Sequence, residues 1–593
     1  MQNLSVSHPA TKYIALLLFF IFGFSLYSNS LHNNFIYDDD IKAITQIEPY
    51  YHQGFIPAYL YILKNNPDVP ERPVTVFTIW LNYKCFGMSI FALRVVNVFL
   101  HVMASFLLFL LCLRLPIPSI NSSKLIAFLV SLFFLVHPLH VLAVNCFILQ
   151  RSIILVAIFG ILALLALFEY SQKNQMRWIW LCFISLILCV FSKPTGIAFF
   201  LILPFFAYFL KIKLPKSFYA VLIIMLPVFL ILLRTHHQDN PLHWYEYWGL
   251  SIRALGVYAQ LFFWPFNMFP YYSFDKIPHF NGVTLLIVLC HIFILGYALI
   301  ILRKKELGLF LSLIGIYLAL LPETLSPYPL LQNIIQYRTY CPYIFGCLLM
   351  YFLLLPWKNS KILIVFLLIF ISMCFCKTYL RNLALKSFPD LGREHVISDP
   401  YDDWYNFDTG AYYFFKRNTD GAIGLFQFLE QKRSDQKIYR ALKLLAQSYQ
   451  QPLNDNQTKE IIDEFNQYHG SLIDSKSLLL LTFNLIKESS ISQKEELLQK
   501  LFFSQIYIIL DDRDMNKGYK DMYNYVFTTF AQDYYSHLSI LTTDEKFHLS
   551  QSEGALILLQ MPNSLSLKDK LQQLFKRDAH WKNVFALPAG DTP

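Results

Sequence analysis

Several short segments of the chain carry side chains capable of chemistry. The first is Phe35-Ile36-Tyr37-Asp38-Asp39-Asp40. Three adjacent carboxylates repel one another, so either one carboxyl holds its proton to a higher pH or a cation sits among them. A carboxylate in that position serves as a general base or ligates a divalent metal such as magnesium or manganese through oxygen. The plainer alternative is a solvated turn that ends a helix. Glu71-Arg72-Pro73 comes late in the same connection, residues 31–90, which also holds Pro57, Pro67 and Pro70 and is long for a bare connector. Taken alone, Arg72 suits a lipid headgroup contact. His137-Pro138-Leu139-His140 is followed by Gln150-Arg151. The two histidines can face one way, and by themselves they fit a hydrogen-bonded interface better than a metal site. Ser192-Lys193-Pro194 sets a lone Lys at a helix end, and Gln336-Tyr337-Arg338-Thr339-Tyr340 opens another apolar run, where an arginine can simply snorkel toward water.

The elements that must position these groups are membrane helices. The chain has 593 residues, 55% hydrophobic and only 15% charged, where a soluble protein carries about 25% charged. The deficit lies in the first 380 residues. There, apolar stretches of about 16–22 residues follow one another, each long enough as a helix to cross a hydrocarbon layer about 30 Å thick. The spans read as 12–30, 91–112, 123–137, 152–170, 177–192, 195–211, 217–234, 282–302, 307–322, 339–356 and 361–377, about eleven crossings. Residues 13–28 lack a small-residue cleavage site and read as the first span rather than a removed signal. The stretch 251–269 reads as a re-entrant or interfacial helix ending near Pro265, because counting it as a span would move Arg303-Lys304-Lys305 to the other face.

Lys and Arg concentrate in one set of connections, among them Lys124, Lys173, Arg177, Lys211, Lys213 and Lys304. That asymmetry places the N-terminus in the cytoplasm and the connections 31–90, 138–151 and 323–338 outside. It also accounts for the net charge of +9 without a nucleic-acid partner. The outer face then gathers three carboxylates, Asp38, Asp39 and Asp40, and four cations, Arg72, Arg151, Lys193 and Arg338. Cations suit a phosphate or pyrophosphate at the membrane surface, and a carboxylate beside them suits attack by a hydroxyl on the carbon that carries it. A lipid-phosphate sugar donor fits this arrangement.

The order of these segments resembles the GT-C membrane glycosyltransferases, in particular the transmembrane-and-tetratricopeptide-repeat O-mannosyltransferases and their bacterial relatives. Phe35 to Asp40 looks like the family's aromatic-Asp-Asp loop. Arg72-Pro73, Thr78, Leu81-Asn82-Tyr83, Gly87, Arg94, Asn97 and His101 look like its RP…LNY…G…N…H stretch. His137 to Arg151 looks like its HPxH…xR segment, and Ser192-Lys193 and Tyr337 to Pro342 look like its SK and ERYLYxP segments. The resemblance covers residues 12–385. It implies a GT-C helical membrane domain over 1–384 and sugar transfer from a polyprenyl-phosphate donor to an acceptor hydroxyl. Asp38 or Asp39 would then be the catalytic base or a metal ligand. Arg72, Arg151, Lys193 and Arg338 would be donor-phosphate residues, and Asp40, Glu71, His137, His140 and Tyr337 would line the site. Pro194 stands where the family has an acidic residue and Gln336 where it has Glu, so negative charge is lost at both places and the resemblance does not fix the sugar.

Residues 385–593 carry more charge and helical patterning throughout, and all ten cysteines precede them, so this tail has no disulfide framework. Asn406 to Leu429 reads as one tetratricopeptide-type helix pair, with a turn at Asn418-Thr419-Asp420-Gly421, and no clean repeat follows. The tail is expected to be an α-helical, degenerate-repeat domain outside the membrane, suited to an acceptor protein such as a pilin or another exported protein. The setting that fits best is a bacterial inner membrane with this domain in the periplasm. The competing readings are a transporter or flippase for a lipid-linked substrate, against which stands the absence of an internal repeat, and an inactive membrane scaffold.

Overall fold

The computed structural model describes residues 9–33, 54–65, 72–87, 89–115, 123–146, 150–216, 218–220, 244–266, 282–324 and 336–386, and in the C-terminal part mainly 418–434 and 437–448, with isolated positions elsewhere up to 464. By backbone contacts the chain divides into two compact units, Met1–Leu391 and Gly392–Pro593. Every regular element among the described residues is a helix.

In the first unit these are α1 (Pro9–Tyr27), α2 (Phe55–Asn65), α3 (Pro73–Phe86), α4 (Ile90–Arg114), α5 (Lys124–Val136), α6 (Arg151–Lys173), α7 (Met176–Ser192), α8 (Ala198–Phe209), α9 (Trp244–Phe263), α10 (Gly282–Arg303), α11 (Leu307–Thr324), α12 (Tyr340–Leu354) and α13 (Lys361–Ala384). Their starts follow local chemistry. Ser89, Ser123 and Ser360 each accept a hydrogen bond from a backbone N–H in the first turn of the helix that follows, the standard relief for orphan donors at an N-terminus. Asn174 ends α6 in the left-handed conformation that stops a helix.

Among the described residues, six helices are long and apolar enough to cross a membrane: α1, α4, α6, α10, α13, and α12 taken with its flanking turns as Tyr337–Trp357. A seventh forms if Lys124–Val136 and Pro138–Asn145, bent by 43°, are one broken span. The bend sits at His137, which is extended (φ −71°, ψ 130°) because the ring of Pro138 disfavours the helical conformation of its predecessor. The expected spans 177–192, 195–211 and 307–322 appear as apolar helices shorter than this, and the expected span 217–234 lies outside the described residues but for its edge. The helix that opens at Lys361 runs past 377 to Ala384. The stretch 251–269 is helical within α9, which stops just ahead of Pro265. These helices fit a multi-pass membrane protein.

One continuous apolar core joins α1, α4, α5, α6, α7, α8, α12 and α13. α10 keeps only 11% of its apolar window inside the protein and shows Leu286, Ile292 and Phe293 outward, as expected of a lipid-facing helix. Two notches show how the helices close on one another. The ring of Phe199 lies where a Cβ on Gly160 would sit, 2.2 Å from its Cζ, and Phe262 fills the space at Gly346 in the same way, 2.4 Å from its Cε2. Small residues at such contacts let backbones approach without a hydrophobic drive from water.

In the second unit, α14 (Thr419–Lys432) starts from an Asn418 cap and packs on α15 (Ile438–Gln447). Phe426 rests on Gly410, Asn406 donates to the Tyr439 hydroxyl at 3.0 Å, and Lys443 pairs with Glu430. The later helices expected at 475–488, 491–511 and 520–537 lie outside the described residues, as does nearly all of 457–468.

Candidate active site

Alternating helices bring their polar ends to one side of the first unit. α3 begins at Pro73 with Arg72 as its N-cap. Thr75, in its first turn, donates to the carbonyl of Ser192 at 2.8 Å. The next residue, Lys193, is 6% exposed and places its Nζ over the Tyr337 ring, 5.3 Å from the centroid. Arg338 adjoins Tyr337 in a single turn, Gln336–Thr339, that leads into α12. Two contacts thus draw together three segments far apart in sequence: 72–75, 192–193 and 336–340.

Arg151 lies at the start of α6 and is fully buried. Its Nε donates to Asn97 Oδ1 at 2.6 Å, Nη1 to the Thr78 carbonyl at 3.1 Å, and Nη2 to Asn82 Oδ1 at 3.2 Å and the Leu93 carbonyl at 3.0 Å. These acceptors belong to α3 and α4, so its hydrogen bonds tie helices together.

His137 and His140 flank the break after α5 and are fully buried. Their ring centroids are 6.1 Å apart. His140 packs 4.5 Å from Tyr340 and 5.3 Å from His101. His101 in turn shares a hydrogen bond with the Tyr340 hydroxyl at 2.6 Å and another with the Leu135 carbonyl at 3.0 Å. Neither ring nitrogen of His140 has a hydrogen-bond partner. This cluster packs beside the turn that holds Tyr337 and Arg338. Among the described residues no three His, Cys, Asp or Glu side chains converge as a metal site.

Asp38, Asp39, Asp40 and Glu71 lie outside the described residues. The chain that leads to the three aspartates is described as far as Asn33, and it is firmly held. Arg94, 1% exposed in the first turn of α4, donates to the carbonyls of Asn145 and Ser30, each at 3.2 Å, and to that of Asn33. Asn382 near the end of α13 donates to the Leu26 carbonyl at 3.2 Å and accepts from Asn145 at 3.3 Å. Asn33 returns a hydrogen bond to the Asn382 carbonyl at 3.3 Å. The orphan carbonyls at the end of α1 are thereby satisfied by side chains, with a guanidinium at the negative end of the helix dipole.

Sequence reasoning left Arg94, Asn97 and His101 as motif letters without a role and passed over Arg381 and Asn382. A signal existed. Arg94, Asn97 and His101 recur at helical spacing on one face of an apolar run, and polar residues in such runs face the protein interior. Thr378, Arg381 and Asn382 repeat the pattern: Thr378 donates to Val136 O at 2.7 Å and Arg381 to Pro138 O at 3.1 Å.

At the other end of the same helices, Glu169 pairs with Arg114 and Lys173, each at 2.5 Å, and Lys173 lies over Trp178, 4.8 Å from the centroid.

A stretch of 136 residues, 23% of the chain, is 35% identical to a protein O-mannosyl-transferase of Caenorhabditis elegans. The matched stretch spans 19% of that relative's length. No protein-family profile and no solved structure matches the chain.

Proposed function

We propose that the protein is a membrane glycosyltransferase that moves a sugar from a polyprenyl-phosphate carrier to a hydroxyl on an acceptor, an exported protein, at the outer face of the membrane. The observation that supports this reading is the Thr75–Ser192 hydrogen bond and the Lys193–Tyr337 contact, which bring together the segments that carry Arg72, Lys193 and Arg338. The partial likeness to an O-mannosyl-transferase points to the same reaction class. Cations from three segments suit a phosphate diester, whose charge grows as the glycosidic bond breaks. A carboxylate of Asp38 or Asp39 takes the proton of the incoming hydroxyl. The acceptor oxygen bonds to the anomeric carbon, the carbon–oxygen bond to the carrier breaks, and the electron pair leaves on polyprenyl phosphate. Tyr337, His137 and His140 support the wall of the site, and Asp40 and Glu71 stand in the loop with the base. The C-terminal unit serves the acceptor. The membrane in this reading is a bacterial inner membrane, with the second unit in the periplasm.

The test uses the full chain in nanodiscs with a panel of short-chain polyprenyl-phosphate sugars, with and without a chelator. Wild type releases or transfers sugar from at least one donor, and Asp38→Asn or Asp39→Asn lowers turnover by about 10²–10⁴-fold, the usual contribution of a general base, while the protein stays folded. The chelator arm separates metal-dependent from metal-independent turnover. No turnover with any donor, together with unchanged donor binding in both variants, refutes the transferase reading.

A further inference from the structure

We infer that Arg151 is a positioning residue whose guanidinium pins α3 to the membrane bundle and thereby sets Arg72 beside Lys193. The inference rests on the reading of that corner as the donor-phosphate site. It follows from how the hydrogen bonds are spent. A guanidinium only donates, and among the described residues Arg151 donates to two backbone carbonyls and two amide oxygens of α3 and α4. Asn82 and Asn97 turn their oxygens to it and leave their own Nδ2 groups buried without a partner. An unpaired buried N–H is costly, so this orientation persists because the guanidinium dictates it.

Beyond this hub, α3 buries Val76 and Ile79 and meets Phe55 of α2 through Phe77 and Trp80, while Leu81 and Phe86 face outward. Among the described residues, its first turn is tied to another helix by the side-chain hydrogen bond from Thr75 to Ser192. Arg72 lies six residues, about 9 Å of helix rise, from the Thr78 carbonyl that Arg151 holds. A tilt of about 10° around that hub would move Arg72 by about 1.5 Å, and displacements on the order of 1 Å can cost about 10² in rate.

A residue that contacts donor phosphate acts through its charge, whereas a positioning residue acts through its partners. The uncharged substitutions Asn97→Leu and Asn82→Leu therefore decide the matter, alongside Arg151→Lys, which keeps the charge but loses the planar fork. Nitroxide labels are placed at Leu81 on α3 and Ile184 on α7, both outward-facing, in full-length protein in nanodiscs with the exposed Cys85, Cys290 and Cys376 replaced by alanine. Turnover is followed with short-chain polyprenyl-phosphate mannose and any other donor that wild type accepts.

Asn97→Leu and Arg151→Lys are expected to shift or broaden the label distance and to lower kcat about 10–100-fold with a smaller change in KM, while Ser372→Ala, on the outer surface of α13, changes neither. If Asn97→Leu does not fold, Asn82→Leu gives the same reading. An unaltered distance in the folded Asn and Arg151 variants overturns the inference, as does a rise in donor KM for Arg151→Lys alone with α3 unmoved. If the distance responds but wild type turns over no donor, the positioning role stands and the transferase reading falls.

Discussion

Arg94 is an arginine inside an apolar helix, buried to 1% exposure and held by carbonyl oxygens rather than spread into solvent. Together with Asn145 and Asn382 it closes the end of α1, the chain from which Asp38 follows five residues after Asn33. Cutting Asn382 back to alanine orphans the Leu26 carbonyl and the Asn145 amide at once, at about 1–3 kcal/mol for each group. Asn382→Ala is therefore expected to lower the thermal unfolding midpoint of the purified protein by several degrees. The exposed Ser372→Ala on the same helix should leave it unchanged, and equal midpoints for the two variants would show that the network holds nothing. These roles were only half legible in the sequence. Lys193, Arg338 and Arg72 stand out because a cation at a helix end invites a question. Arg94 and Asn382 hide because hydropathy averaging treats them as interruptions, and only their shared face with Asn97 and His101, or with Thr378, marks them as inward.

At the scale of elements, the sequence announces helices more readily than their ends. Apolar length predicts α4, α6, α10, α12 and α13 closely, since a run of such residues has no other way to satisfy its backbone in lipid. It closes the last of them too early, at Lys377, where the helix continues to Ala384 because its polar side chains find partners on α1 and on the His137–Asn145 corner. The notch that receives α9 is invisible to periodicity. Phe262 occupies the space of a missing Cβ at Gly346, and the Tyr343 hydroxyl donates to the Phe262 carbonyl at 3.2 Å. Gly346→Ala is expected to push α9 away and cost about 1–3 kcal/mol of stability, and shortening the ring with Phe262→Leu in the same chain is expected to restore part of it. A double variant no more stable than Gly346→Ala, in a thermal melt of both, would mean that the two positions do not compete for one space.

The whole molecule joins a membrane unit ending at Leu391 to a helical unit beginning at Gly392. Its two kinds of helix end divide the labour. One end of the membrane helices carries the Arg114–Glu169–Lys173 cluster and Lys173 over Trp178, features of a membrane–water boundary. The other joins the segments that carry Arg72, Lys193 and Arg338 by way of Thr75 and Tyr337. Charge placement in the sequence assigns these cations to one face, because alternate crossings return successive connections to it, but nothing in the sequence distinguishes Arg151, whose hydrogen bonds brace α3 and α4, from Arg72, Lys193 and Arg338. The most direct test of the account is the affinity of the full-length protein in nanodiscs for short-chain polyprenyl phosphate, with Lys193→Met and Arg338→Gln beside wild type. Charge-assisted hydrogen bonds contribute about 1.5–3 kcal/mol each, so each variant is predicted to bind at least about tenfold more weakly with its fold intact. Wild type that does not bind polyprenyl phosphate, or variants that bind it as tightly as wild type, would contradict a donor-phosphate site at this corner.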